Sequence, residues 1–136
     1  AAAKAAASAV EWRLITMRRL TACENRGNHH IFMTVLDAAG NPLDGVVLIQ
    51  SNDANAGDIL DRTVSGAKGP GKAEFVMWKG AQYMAFVSGG DGSPASTDLA
   101  RGLNSNFTDE SECGDGGGGG NTLFHNSFEV VFQRTR

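Results

Sequence analysis

The side chains with the most chemical potential in this chain are two cysteines, three histidines and one long stretch of oxygen-bearing residues. Cys23 and Cys113 flank the two least regular parts of the sequence, and no Cys-x-x-Cys spacing suggests a metal site. In a chain with extracellular character they read as a disulfide closing a loop of about 90 residues, worth roughly 4–5 kcal/mol by chain entropy. Two free thiols in a reducing compartment are the alternative. His29 and His30 are adjacent, and adjacent strand residues point to opposite faces, so at most one of them can join His125 on a metal such as zinc. Hydrogen-bonded histidines at a strand entrance are the plainer expectation, and no metal site is assigned.

The segment Ser88 to Asn126 carries Asp91, Asp98, Asn104, Asn106, Asp109, Glu110, Glu112, Asp115 and Asn121. Calcium takes six to eight such oxygens, but the Asp-x-Asp-x-Asp-Gly spacing of a known calcium loop is absent, so a solvated acidic loop is the default. Gly116 to Gly120 has no following Lys-Ser/Thr and no helix to present an anion site, so it reads as a flexible spacer. There is no Gly-x-Ser-x-Gly elbow, no His-Glu-x-x-His and no paired-carboxylate motif, so no catalytic residue and no cofactor are expected. Asn106-Phe107-Thr108 is a glycosylation sequon, meaningful in a host that uses it. Trp12, Trp78 and Tyr83 are the aromatics suited to stacking on sugars. Trp78 falls at the end of a strand, where it is either a core residue or an outward-facing one. Trp78, Asp91, Asp98, Asn104, Asn106 and Asp109 form the expected ligand-binding set.

The elements that must position these groups read as strands. His30 to Leu36 and Val46 to Gln50 flank a polar Asp37-to-Gly45 turn region, and they look like paired core strands. Glu11 to Ala22 is strand-like by its β-branched and aromatic content, and Cys23 to Asn28 is a turn. Asn52 to Gly71 is polar and holds one short edge strand, Ile59 to Val64. Lys72 to Trp78 and Gln82 to Val87 form a second hairpin, and Ser127 to Arg134 is the last strand. Seven strand candidates with regular turn signals, and no convincing internal helix, predict an all-β, antiparallel two-sheet sandwich. Its core should include Phe32, Val35, Leu48, Phe75, Met77, Phe86, Val130 and Phe132. The 39 residues from Ser88 to Asn126 exceed the roughly 15 that a plain connection uses, which points to function or disorder.

The string VLDAAGNPLDGVVLIQS, with TVSGAKGPGKAEF and GAQYMAFV after it, resembles the Ig-like sandwiches of the carboxypeptidase regulatory and transthyretin-like type. The matching positions are Asp37, Gly40, Pro42, Leu43, Gly45, Val46, Thr63, Gly71, Phe75, Gly80 and Tyr83, within Ile31 to Val87. The resemblance implies an accessory module of secreted hydrolases, adhesins or surface proteins, without catalysis of its own. Independently of it, Gly40 and Gly45 suit turn ends, and Tyr83 is placed to bury its ring and keep its hydroxyl paired near a corner.

A length of 136 residues suits one domain, with Ala1 to Val10 as an alanine-rich linker, tether or artificial spacer and residues 11–136 as the sandwich. Net charge is -3 with 12 Lys+Arg that do not cluster beyond Arg18-Arg19, so no nucleic-acid footprint is present. The longest apolar runs fall far short of the roughly 20 residues a membrane span needs, and no leader-like segment precedes them. The expectation is a soluble, extracellular or cell-surface binding module that takes polysaccharide or a cell-surface protein. The alternative is a structural subunit of an extracellular fibre or surface layer, assembled as a homopolymer.

Overall fold

The computed structural model describes residues 10–107 and 125–136. Eight strands form two sheets: β1 (Trp12–Arg19), β2 (His30–Leu36), β3 (Val47–Asn52), β4 (Asn55–Val64), β5 (Lys72–Val76), β6 (Gln82–Val87), β7 (Ala100–Asn104) and β8 (Phe128–Arg134). The first sheet has the order β1-β8-β2-β5 and the second β4-β3-β6-β7. This is an all-β two-sheet sandwich. Its pairings are antiparallel except for β2 with β8, which run parallel from Ile31 opposite Phe128 to Leu36 opposite Gln133.

Neither expected hairpin forms. β2 lies in the first sheet and β3 in the second, and β5 and β6 are divided in the same way. The reason lies in the connections. Asp37 Oδ1 accepts from the N–H groups of Ala39 and Asn41, both at 2.9 Å, and Leu43 N–H donates back to the Val35 carbonyl at 2.9 Å. That loop spends its hydrogen bonds locally, and Leu43 and Val46 then pack against the core as the chain crosses between the sheets. Gly71 is where this crossing touches β2. Its φ is +68°, its N–H donates to Asp44 Oδ1 at 2.7 Å, and a Cβ there would meet the Val35 carbonyl oxygen at 2.7 Å. Only glycine fits.

Between the sheets lie Ile31, Met33 and Val35 of β2, facing Leu48, Tyr83, Ala85 and Leu103 of the second sheet, with Phe75, Met77, Val130 and Phe132 beside them. Two core expectations change. Phe32 lies on the outer face, half-buried and stacked on His30 with ring centroids 5.5 Å apart, because β2 alternates and Val35 cannot share a face with it. Phe86 is buried, but on the far side of the second sheet with Ile49 and Met84. The eighth strand, β7, falls inside the stretch expected to be loop. A one-turn helix, α1 (Ala22–Asn25), replaces the expected turn, and Thr21 and Glu24 close a capping box at its start.

No helix among the described residues is long and apolar enough to cross a membrane. Most of the Ala1 to Val10 segment, together with Asp109, Glu110, Glu112, Cys113, Asp115, the glycine run and Asn121, lies outside the described residues.

Candidate functional site

One end of the sandwich gathers most of the unusual side chains. The β5–β6 turn, the β3–β4 turn, the end of β7 and the start of β2 meet there, and Trp78 stands at their junction with 68% of its surface exposed. Its main chain is nonetheless held. The Trp78 N–H donates to Tyr83 Oη at 2.8 Å, and the Tyr83 ring is buried in the core beneath it. The hydroxyl is therefore paired at a corner, as the sequence suggests. Gly80, two residues on, donates its N–H to Asn106 Oδ1 at 2.6 Å, which ties this turn to the segment after β7.

On one side of Trp78 the edges of the two sheets part into a cleft of about 550 Å³, lined by Gln50, Asn52, Leu60, Asp61, Val76, Trp78, Ala81 and Tyr83. Gln50 is buried and donates from Nε2 to the Val76 carbonyl at 2.8 Å, so one side chain pins both sheets at the cleft floor. A second hollow of about 410 Å³ shares Asn52, Leu60 and Ala81 with it and continues to Asp53, Gln82 and Arg101. There Arg101 Nη2 donates to the Asp53 carbonyl at 2.7 Å, while Asp53 Oδ1 receives the Gly102 N–H at 2.9 Å. Together they make a trough with an indole at one end and polar, charge-balanced groups at the other.

Behind Trp78 stand the histidines. The His29 ring centroid is 5.4 Å from Trp78, 5.4 Å from His30 and 5.1 Å from His125. His29 precedes β2, so strand alternation does not bind it, and all three rings come together where the sequence allowed at most two. His29 Nδ1 is 2.7 Å from the Met77 carbonyl, the geometry of an N–H donated to that oxygen. The Nδ1 atoms of His30 and His125 are buried without a hydrogen-bond partner. Burial holds the His30 imidazole below the usual histidine range despite Glu74, and burial with neighbouring His29 and Lys79 does the same for His125. Among the described residues no group of three His, Cys, Asp or Glu side chains could hold a metal ion.

The expected binding residues divide. Trp78, Asn104 and Asn106 share this end, but the asparagines are structural: Asn104 Oδ1 accepts from the Asn106 N–H at 3.1 Å. Asp98 takes the Leu14 N–H at 2.8 Å and so secures the edge strand β1. Asp91 accepts from the Ser93 N–H at 2.9 Å, in a turn near the opposite end. That turn lies over β4, where a Cβ on Gly92 would meet Ile59 Cδ1 at 2.7 Å. Asp109 is outside the described residues. The trough residues Gln50, Leu60, Asp53 and Arg101 carried no signal in the sequence, because their meeting depends on which strands sit at the sheet edges.

No family model, curated protein or solved structure matches the chain.

Proposed function

We propose that this chain is a non-catalytic binding module whose ligand is a hydroxyl-rich chain, a polysaccharide, lying in the trough that Trp78 heads. The observation that carries this is Trp78 itself: a large indole, 68% exposed, whose main chain is fixed by Tyr83 from below. An indole offers a broad apolar face at low conformational cost, and its N–H can serve a hydroxyl. Above the floor that Gln50 pins, Asn52 and the paired Asp53 and Arg101 supply the polar groups that orient such a ligand. The likeness to carboxypeptidase regulatory-type modules and an extracellular setting belong to the same proposal, as does a Cys23–Cys113 bridge. In support of the bridge, no free cysteine occurs among the described residues, and Cys113 is the only other cysteine in the chain. Intact mass should rise by about two hydrogens on reduction, with no alkylation before it; two alkylatable thiols in the folded protein contradict the bridge.

Pull-down on a panel of insoluble polysaccharides tests the function. Wild type should be retained on at least one, and Trp78→Ala should weaken retention at least about tenfold, as loss of an anchoring aromatic does. Equal retention of the two proteins places binding elsewhere.

The structural-subunit alternative rests on β4. This edge strand leaves Ile59, Leu60 and Val64 exposed beside an unpaired row of main-chain groups, a template for strand addition. Concentration-dependent growth in size-exclusion chromatography that Leu60→Lys abolishes would favour it.

A further inference from the structure

Among the described residues the histidine side chains hold no main-chain group beyond the Met77 carbonyl that His29 Nδ1 meets, yet the His29 ring packs directly against Trp78. We propose that the histidine cluster makes Trp78 acid-sensitive: protons taken up by His30 and His125 drive those rings out of it and remove the packing that holds His29 against the indole, so the trough binds at neutral pH and lets go in acid. The consequence for binding rests on the function proposed above; the movement of Trp78 does not.

The surroundings make the cluster a poor host for added charge. His30 faces Glu74 on β5 and Lys68 in the turn before it, and that carboxylate is already engaged by Lys68 at 3.4 Å. His125 faces His29 and Lys79 of the β5–β6 turn. A proton on His30 therefore arrives beside Lys68 and one on His125 beside Lys79, and either places an imidazolium about 5 Å from the His29 ring. Relief is available in one direction. Nδ1 of His125 and of His30 has no hydrogen bond to give up, whereas water would solvate either as a donor once the ring swings out. His29, which bridges both rings to Trp78, is the link through which that movement reaches the cleft.

The test follows Trp78 without any ligand. In a Trp12→Phe chain Trp78 is the sole tryptophan, and its emission is recorded from about pH 8 to about pH 5. Should that variant not fold, the two indole N–H signals of the wild type are followed by NMR over the same range, assigned with Trp78→Phe. The expected result is one reversible transition of the Trp78 signal, centred below the free-histidine value of about 6.5 and lost in His29→Gln. A flat Trp78 signal overturns the proposal, and so does a transition unchanged in His29→Gln. With a bound polysaccharide in hand, affinity should fall about tenfold across the range in wild type and stay level in His29→Gln. A chain whose Trp78 responds to acid but binds no glycan refutes the binding function and leaves the acid response standing.

Discussion

At the scale of single residues, the site depends on a few atoms whose removal has calculable effects. Tyr83→Phe keeps the buried ring and deletes the acceptor of the Trp78 N–H, which should cost about 1 kcal/mol in urea unfolding and loosen the indole enough to weaken glycan retention. Gly71→Ala combines a left-handed backbone with a Cβ forced onto the Val35 carbonyl oxygen, so a loss on the order of 2–3 kcal/mol is expected in the same assay. The two substitutions differ in kind. The first should alter binding out of proportion to stability, and the second should alter stability alone. Trp78 was legible as a candidate because it falls on the strand face opposite Ala73 and Met77, although a core position read equally well from the sequence, and the structure leaves it exposed. Its partners were not. Asp91, Asp98, Asn104 and Asn106 have the composition of a binding loop, but each closes a turn or caps a strand, and composition cannot separate an oxygen offered to solvent from one taken by a neighbouring N–H.

At the scale of elements, period-two apolar runs located strands well, since each of the seven segments expected from the sequence carries one. What they could not give was partnership. A polar turn between two apolar runs reads the same whether the second run pairs with the first or crosses to the facing sheet, and here both such connections cross. Strand β7 escaped because Arg101, Gly102 and Asn104 dilute its pattern, leaving Ala100 and Leu103 as its buried residues. The parallel contact of β2 with β8 lies beyond local sequence altogether, because it joins segments nearly 100 residues apart. Elements also set the pH response. His30 and His125 are held below their ordinary range, so the unfolded chain binds more protons than the folded one as pH falls. Stability from keeping them neutral is complete above about pH 6.5 and declines as pH drops below it. Glu24 behaves in the opposite part of the scale. Its hydrogen bonds from Arg18 and the Thr21 N–H bring it to about 2, so its contribution persists above the usual carboxylate range and is lost only in stronger acid. Thermal melting should therefore show a decline between about pH 7 and pH 5 that His30→Asn with His125→Asn flattens, and that Glu24→Gln leaves in place. An unchanged slope in the double variant would contradict the assignment.

At the scale of the molecule, the sandwich separates two jobs. One end, around Asp37 to Gly45, Gly71 and the Asp91 turn, is closed by glycines and local hydrogen bonds. The other, around Trp78, the histidines and the trough from Gln50 to Arg101, exposes an aromatic surface and groups that can exchange protons or hydrogen bonds. Ser105, Asn126 and Ser127, all buried and hydrogen-bonded, frame that second end. Asn126 Nδ2 donates to the Asn104 carbonyl at 2.8 Å, and Ser127 Oγ receives the His30 N–H at 3.0 Å. So much satisfied polar structure beneath an exposed tryptophan is the arrangement expected where a surface has to keep its shape. The most direct measurement is a proton–nitrogen NMR titration of the wild-type chain with a soluble fragment of whichever polysaccharide retains it. The trough account predicts that the Trp78 indole signal and the main-chain signals of Asn52, Asp53, Leu60 and Arg101 shift together and saturate, while the Trp12 indole stays still. Shifts confined to the Asp91 turn or the Trp12 end, with Trp78 unmoved, would contradict it.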